Sequence, residues 1–533
     1  MKHTMIHVIA PGDHQAAALL VEAALARSCG LGSVSLDSLE IARRALDRQT
    51  SGEIWVFIAP RDGWTPLLSG LLTRGHKVLL LGALSSSLAE HLQVSVGELS
   101  DALVTSAQCA PAPTYGTSDS PARVRYQPQT ARRVAGRPAP MADRALRRYD
   151  FTDEWNNLGY GAITVDGSPW SLAQQVQVPA DKLLARITDG TADLGAYAAL
   201  WENATSSVMW FNRPVGPIDS QEWRLVEDFV SCHRPDDLPC QPVLAEVPAG
   251  YDAAVTMRLD CDEDVESARA LWRLYTAEQV PFSLALHAKV LADARHHVLP
   301  REVLNAGGAI LSHTATHAPD WGGSYEAAFV EGKASADAIR TAIGHTVRYA
   351  VSPFHQTPVY ARHGLADAGY LGCIGGIIRN DFDFLMARSG MPPHSGAGFI
   401  GHSQQCMLHG DCMLAEGDPL RIFRQAFDEA VAAGAFFGYL DHPFSERYQY
   451  GWHTEDQRVQ AHRDFITHMK RAGKVLFVHE DEAMDFLFAR AHVRVDQEGA
   501  NFRFTLPDSD TPWGLAVRWR GQTHCIDSNG QLA

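Results

Sequence analysis

Between residues 251 and 490 short apolar runs recur, each closed by polar residues and followed by a helical stretch, and no other feature restricts the fold of this chain as strongly. The runs occupy 253–259, 282–286, 309–311, 349–351, 371–377, 435–440 and 475–478. A strand followed by a helix, repeated, returns the chain to the same end of the sheet each time, so the strands come out parallel. Seven such units point to a (β/α) barrel, in which the residues just after each strand surround one common mouth.

Two of those strand ends carry chemistry. In the first, Arg258, Asp260 and Asp262 alternate with Leu259 and Cys261, and a period of two puts the three charges on one face. In the other, His313 and His317 stand four residues apart, after the run 309–311 and just before Pro319, a spacing that brings both rings to one point in a single turn. One carboxylate and two imidazoles with an open position form the donor set of a hydrolytic divalent-metal site, and a second carboxylate beside it suits a general base.

Asp260-Cys261-Asp262 followed by His313-Thr314-Ala315-Thr316-His317 resembles the first two motifs of the polysaccharide deacetylase family, also called the NodB-homology domain or carbohydrate esterase family 4, over roughly residues 250 to 485. The resemblance implies a distorted (β/α) barrel and metal-dependent hydrolytic deacetylation of an N- or O-acetylated sugar or glycan precursor, in surface polysaccharide biosynthesis. It implies Asp260 as catalytic base and Asp262, His313 and His317 as ligands of a divalent metal, zinc in first place with cobalt, manganese or nickel as alternatives. Tyr439-Leu440-Asp441-His442-Pro443-Phe444 resembles the family's late motif and implies His442 as catalytic acid. In a further stretch the family has Arg before Pro, steadying the base; here Val351-Ser352-Pro353-Phe354-His355 stands instead. Arg348 is out of register, so Arg258, on the face of Asp260, is expected in that role, with Pro353, Phe354 and His355 on the substrate. Two other readings stay open on this barrel: hydrolysis of a cyclic amide or ureide, and a non-catalytic member that binds a glycan or a protein partner.

Around the barrel, residues 1–110 alternate strand and helix signals and read as a parallel α/β layer, Rossmann- or flavodoxin-like, without a Gly-rich phosphate loop. The Pro-, Ser- and Arg-rich stretch 111–148 reads as a linker. Residues 149–250 supply another strand, turn and helix that complete the N-terminal domain. The stretch 379–417 is long for a connection and is expected to be either a substrate loop or partly disordered. Its His402, Cys406, His409 and Cys412 superficially resemble a zinc knuckle, and Asp381, Asp383 and Asp411 are candidates to orient His442. Residues 491–533 alternate between Gly and Asp-Ser-Asn-Gly turns and read as a small antiparallel β appendage. The fold class expected is α/β: an N-terminal parallel layer, then the distorted barrel, then the appendage.

A net charge of −16 argues against nucleic acid or an anionic membrane as a partner. Nine cysteines without CxxC pairs do not form a disulfide framework and suit a reducing compartment. No signal-peptide pattern opens the chain and no run of eighteen apolar residues follows, so a cytoplasmic protein without a membrane span, acting on a precursor, is expected. Nothing in the sequence speaks to oligomeric state.

Overall fold

Strand Ala253–Cys261 is buried along its whole length and has parallel neighbours on both sides, Ser283–Leu286 and Phe437–Asp441. The computed structural model describes residues 6–49, 51–108, 122–138, 141, 143–145, 163–190, 192–217, 220–376, 389–394, 398–445, 449–509 and 511–532. From Ser283–Leu286 the sheet continues through Ala309–Ser312, Tyr349–Val351 and Gly372–Gly376 to Ile400–Gln404, each strand parallel to the last. On the other side Phe437–Asp441 pairs with Cys406–Met407. These two end strands are a single stretch of chain interrupted only at Gln405, so the sheet returns on itself as a barrel. Val475–Phe477 pairs with the first residues of Ala253–Cys261. The apolar residues facing away from the barrel axis, among them Leu259, Leu284 and Ile310, are buried against helix residues such as Leu271, Leu299 and Phe465. Each such side chain contributes about 1.5–3 kcal/mol by leaving water.

The closing strand lies inside the stretch expected to be a substrate loop, and this expectation is corrected. Its sequence, Ile400-Gly401-His402-Ser403-Gln404-Gln405-Cys406-Met407, has no hydrophobic alternation, yet His402, Ser403, Gln404 and Gln405 are at most 1 % exposed. Buried polar groups are tolerated where they are bonded, and here the neighbouring strand supplies the partners. Gly438 N–H donates to Gln405 Oε1 at 2.6 Å and Gln405 Nε2 donates to Phe436 O at 3.3 Å. Position 438 has to be glycine: a Cβ there would meet the Gln404 side-chain amide at 2.4–3.1 Å. Asp381 and Asp383, with residues 377–388, lie outside the described residues.

The N-terminal sheet is parallel over Val34–Leu36, Ile6–Ile9, Ile54–Ile58, Lys77–Leu81 and Ser207–Phe211, in that spatial order. It then turns antiparallel through Asp193–Glu202, Leu183–Thr188, Arg123–Tyr126 and Arg144–Ala145. The strands that residues 1–110 give to this sheet are thus parallel, as their alternation suggests, and the antiparallel part is added by residues 123–202. Arg123–Tyr126 and helix Pro128–Ala135 belong to the stretch read as a linker. Val124 and Tyr126 point inward from the strand and Ala131 and Val134 from the helix, too few large apolar residues to register in composition; Tyr126 Oη donates to buried Glu222 at 2.8 Å. Residues 109–121 and 146–162 lie outside the described residues. In the tail, Ala516–Trp519 pairs antiparallel with Gln522–Cys525 and with Val243–Leu244, and Trp519 Nε1 donates to Cys240 O. Among the described residues no helix is long and apolar enough to cross a membrane.

Candidate active site

A cleft of about 860 Å³ opens where the barrel strands end. Its wall is assembled from residues that follow successive strands: Asp260 and Asp262, then His287, then His313 and His317, then Phe354 and His355, then His409, then His442. This is the mouth that parallel βα units produce.

Asp262, His313 and His317 each offer one ligand atom, and the three atoms lie within 4.8 Å of one another. Asp262 Oδ1 is 3.3 Å from His313 Nε2 and 3.8 Å from His317 Nε2. The turn between the histidines is held in an unusual shape, with Thr314 at φ 64° and His317 at φ 55°, a left-handed backbone that costs non-glycine residues on the order of 1–3 kcal/mol each. What stabilises it is Glu331, on helix Tyr325–Ile343. Its carboxylate accepts from Ala315 N at 3.0 Å, Thr316 N at 2.9 Å and Thr316 Oγ1 at 2.6 Å, while Thr314 Oγ1 accepts from His317 N at 2.8 Å.

The donors fit a divalent ion. His313 Nδ1 is bonded to the Val351 carbonyl at 3.3 Å, which turns Nε2 toward Asp262 and leaves it as the nitrogen that would bind a metal, as second-shell partners of metal-binding histidines do. Burial opposes charge on Asp262, but His313 and the fields of His442 and His317 outweigh it and lower the carboxyl to about 2. Burial, then the charge of His313, pushes His317 down to about 4. Asp262 and His317 are therefore a carboxylate and a neutral imidazole at neutral pH, while the carboxylates of Asp260 and Asp262 raise His313 against its burial; a cation at this point would take the place of the His313 proton.

Beside this trio Asp260 is 1 % exposed and Arg258 is fully buried. Arg258 Nε donates to Oδ1 at 2.6 Å and its terminal nitrogen to Oδ2 at 3.2 Å, a two-pronged clamp. Burial works against the Asp260 charge, yet Arg258 and then His313 hold the carboxyl well below the usual range. Arg348 points elsewhere, into a two-pronged pair with Asp485 at 2.7 and 2.6 Å.

Of the three residues expected on the substrate, Phe354 and His355 line the cleft and Pro353 does not. Pro353 is buried at the start of a tight turn in which Phe354 and His355 both have positive φ, 51° and 60°. The turn presses the half-exposed Phe354 ring edge-on to His317, 4.8 Å between centroids.

His442 lines the opposite wall. Tyr450 stacks on its ring at 4.3 Å, and its Nδ1 lies 2.9 Å from Nε2 of buried His409. Among the described residues no carboxylate is bonded to that ring nitrogen. Asp441 accepts instead from Arg458 Nε at 2.7 Å, pairs with His462 at 2.9 Å and accepts the His442 backbone N–H at 2.7 Å. The knuckle of His402, Cys406, His409 and Cys412 does not assemble: His402 bonds to Phe436 O, and among the described residues no cysteine belongs to a group placed to hold a metal ion.

His287, Tyr450 and Glu331 escape the sequence reading, and His409 enters it only as a member of the knuckle. His287 follows strand Ser283–Leu286 and bonds through Nδ1 to the Asp262 carbonyl at 3.2 Å, so the strand-end rule applied to every strand would have found it. His409 follows a strand that has no hydrophobic signature, and nothing in the sequence signals its place beside His442.

No protein-family model and no curated protein matches the chain. Among solved structures it is similar to a protein from Mycobacterium smegmatis described as a polysaccharide deacetylase, at 14% identity over 49% of this chain and 96% of that one, TM-score 0.37. It is similar to an allantoinase at 14% identity over 46% and 94%, TM-score 0.37. A family 4 acetyl xylan esterase from Clostridium thermocellum, solved with a cobalt ion, is similar at 15% identity over 43% and 90%, TM-score 0.29.

Proposed function

We propose that this chain is a metal-dependent hydrolase that removes acetyl groups from an acetylated sugar or glycan precursor. One observation carries the reading: in a single cleft, a carboxylate clamped by a buried arginine stands beside a carboxylate and two imidazoles whose ligand atoms lie within 4.8 Å of one another, with a further imidazole, His442, lining the same cleft. A divalent ion held by Asp262, His313 and His317, zinc or cobalt, manganese or nickel, supplies positive charge for a carbonyl oxygen and acidifies water. Asp260, kept ionised and aimed by Arg258, accepts the proton of the attacking water. His442 hydrogen-bonds to the departing oxygen or nitrogen of the sugar. Phe354, edge-on to His317, gives the acyl group an apolar wall. The sugar class and the link to surface polysaccharide synthesis rest on the motifs around Asp260, His313 and His442.

Acetate release from acetylated amino sugars and acetylated xylan tests the reading. Asp260→Asn is expected to lower turnover by about 10²–10⁴ while bound metal stays at the wild-type level. Unchanged acetate release would remove Asp260 from the chemistry.

A further inference from the structure

The turn that carries His313 and His317 is held from outside the metal trio. Ala315 N and Thr316 N, consecutive in the chain, both donate to one oxygen of Glu331, Oε2, at 3.0 and 2.9 Å, and Thr316 Oγ1 donates to the other at 2.6 Å. Successive backbone N–H groups aimed at one point form a concavity that binds an anion. Here the anion is a side chain of the same chain. The backbone that forms the concavity is the one with Thr314 and His317 at φ 64° and 55°. The bonds to Glu331 and the convergence of the two imidazoles on Asp262 therefore belong to one backbone conformation.

Glu331 is itself held in place. A helix that follows a barrel strand runs back along it, so residues earlier in the helix lie nearer the mouth. On helix Tyr325–Ile343, Ser335 and Glu331 are one turn apart on one face. Ser335 meets the end of the strand: Ser312 Oγ donates to Ser335 Oγ at 2.8 Å, and Tyr370 Oη lies 2.9 Å from both Ser312 Oγ and Gly332 O. Ser312, Ser335 and Tyr370 are all buried. Position 332 lacks a side chain because a Cβ there would meet Leu365 Cδ2 at 2.8 Å and Tyr370 Cε2 at 3.0 Å. One turn nearer the mouth, Glu331 comes level with Ala315 and Thr316. On the other side of the turn, Ala288 N donates to Thr314 O at 2.9 Å.

We propose that Glu331 is a positioning residue that sets the metal affinity of Asp262, His313 and His317, by holding the turn in its ligating shape before an ion binds. The inference rests on the metal reading above. Glu331 does not line the cleft, so it acts through the turn alone. The bond from His317 N to Thr314 Oγ1 at 2.8 Å orders the turn internally, whereas Glu331 fixes it against the barrel. Without Glu331, the two left-handed residues are free to relax to ordinary backbone. Binding an ion then includes the cost of ordering both imidazoles.

The test uses the full chain, stripped of metal and titrated with zinc and with cobalt, as wild type, Glu331→Ala, Glu331→Gln and Glu326→Ala. Gln can accept both N–H groups on its oxygen and donate to Thr316 Oγ1. Glu326 is exposed on the same helix, and its removal takes away the same charge. Glu331→Ala is expected to weaken zinc binding by about 10–100-fold and to alter the visible absorption of bound cobalt. Glu331→Gln is expected to restore most of the affinity and the wild-type spectrum, and Glu326→Ala to bind as wild type does. A merely structural role would lower the stability of the metal-free protein and leave the cobalt spectrum of the folded protein unchanged.

Wild-type zinc affinity and cobalt spectrum in Glu331→Ala would overturn the proposal. So would a Gln variant as weak as the Ala variant, which would make the charge the agent rather than the bonds. Should Glu331→Ala fail to fold, Thr316→Val removes one of the three bonds and is expected to weaken zinc binding to a lesser degree; unchanged binding there would overturn the proposal. No zinc or cobalt binding by wild type would overturn the metal reading and this inference together, whereas binding by wild type and equally by Glu331→Ala would overturn this inference alone.

Discussion

Two strands of the same barrel bury polar side chains in different ways. Ala253–Cys261 buries a charged pair, Arg258 with Asp260, within an otherwise apolar run. The stretch 400–407 buries four consecutive polar residues and almost no charge, and its amides bond to neighbouring elements: Gln405 to residues 436 and 438, and Gln404 through Nε2 to Glu480. The first strand concentrates its polarity at the mouth, where chemistry can use it. The second spreads polarity along the seam and uses it to hold the barrel shut. A buried charge needs one well-placed counter-charge, whereas a buried amide row needs a partner for every group.

The contrast breaks most visibly at Arg258. Arg258→Met leaves the Asp260 carboxylate buried without its clamp, and about 3–5 kcal/mol of stability is expected to go at neutral pH, read by denaturant unfolding. Acetate release should fall with it because the base is no longer held ionised. If Arg258→Met kept both stability and turnover, the clamp would have no role. At the seam, Gln405→Leu removes the partner of the Gly438 N–H and is expected to cost about 1–3 kcal/mol with bound metal unchanged; loss of metal in this variant would mean that the seam, too, shapes the site.

The smallest effect is a pH dependence. Burial raises Glu480 from 4.5 to about 7, against the pull of Arg258. The folded state therefore holds a proton that the unfolded chain releases near 4.5, and stability falls as pH rises from about 4.5 to about 7. Glu480→Gln should flatten that fall. Asp481, also raised to about 7 by burial, leaves a residue of it. A steeper fall in Glu480→Gln would contradict the assignment.

The same contrast explains what the sequence could tell. Arg258, Asp260 and Asp262 sit on a strand whose apolar run announces itself, so period two alone puts them on one face. His313 and His317 are tied by spacing, and His442 ends another apolar strand. The stretch 400–407 has no such run, so the strand, the closure it makes and His409 beyond it stay hidden until Phe437–Asp441 is seen at its side. Glu331 is hidden for another reason: its three hydrogen bonds reach fifteen and sixteen residues back to the His313–His317 turn, and nothing local marks that contact. Residues 123–126 enter the N-terminal sheet and 128–135 cover it as a helix, with Val124, Tyr126, Ala131 and Val134 turned inward, a signal submerged in Pro and Arg. Pro353 shapes the turn that presents Phe354 and His355 and does not itself reach the cleft.

The central claim is that Asp262, His313 and His317 hold a divalent ion. Elemental analysis of purified wild type beside His313→Ala, with zinc titration of both after chelation, tests it most directly. About one metal per chain in wild type, with loss of that metal and a weakening of zinc binding by orders of magnitude in His313→Ala, is the result expected. A metal content that is the same in both proteins, or no zinc binding by wild type, would contradict it.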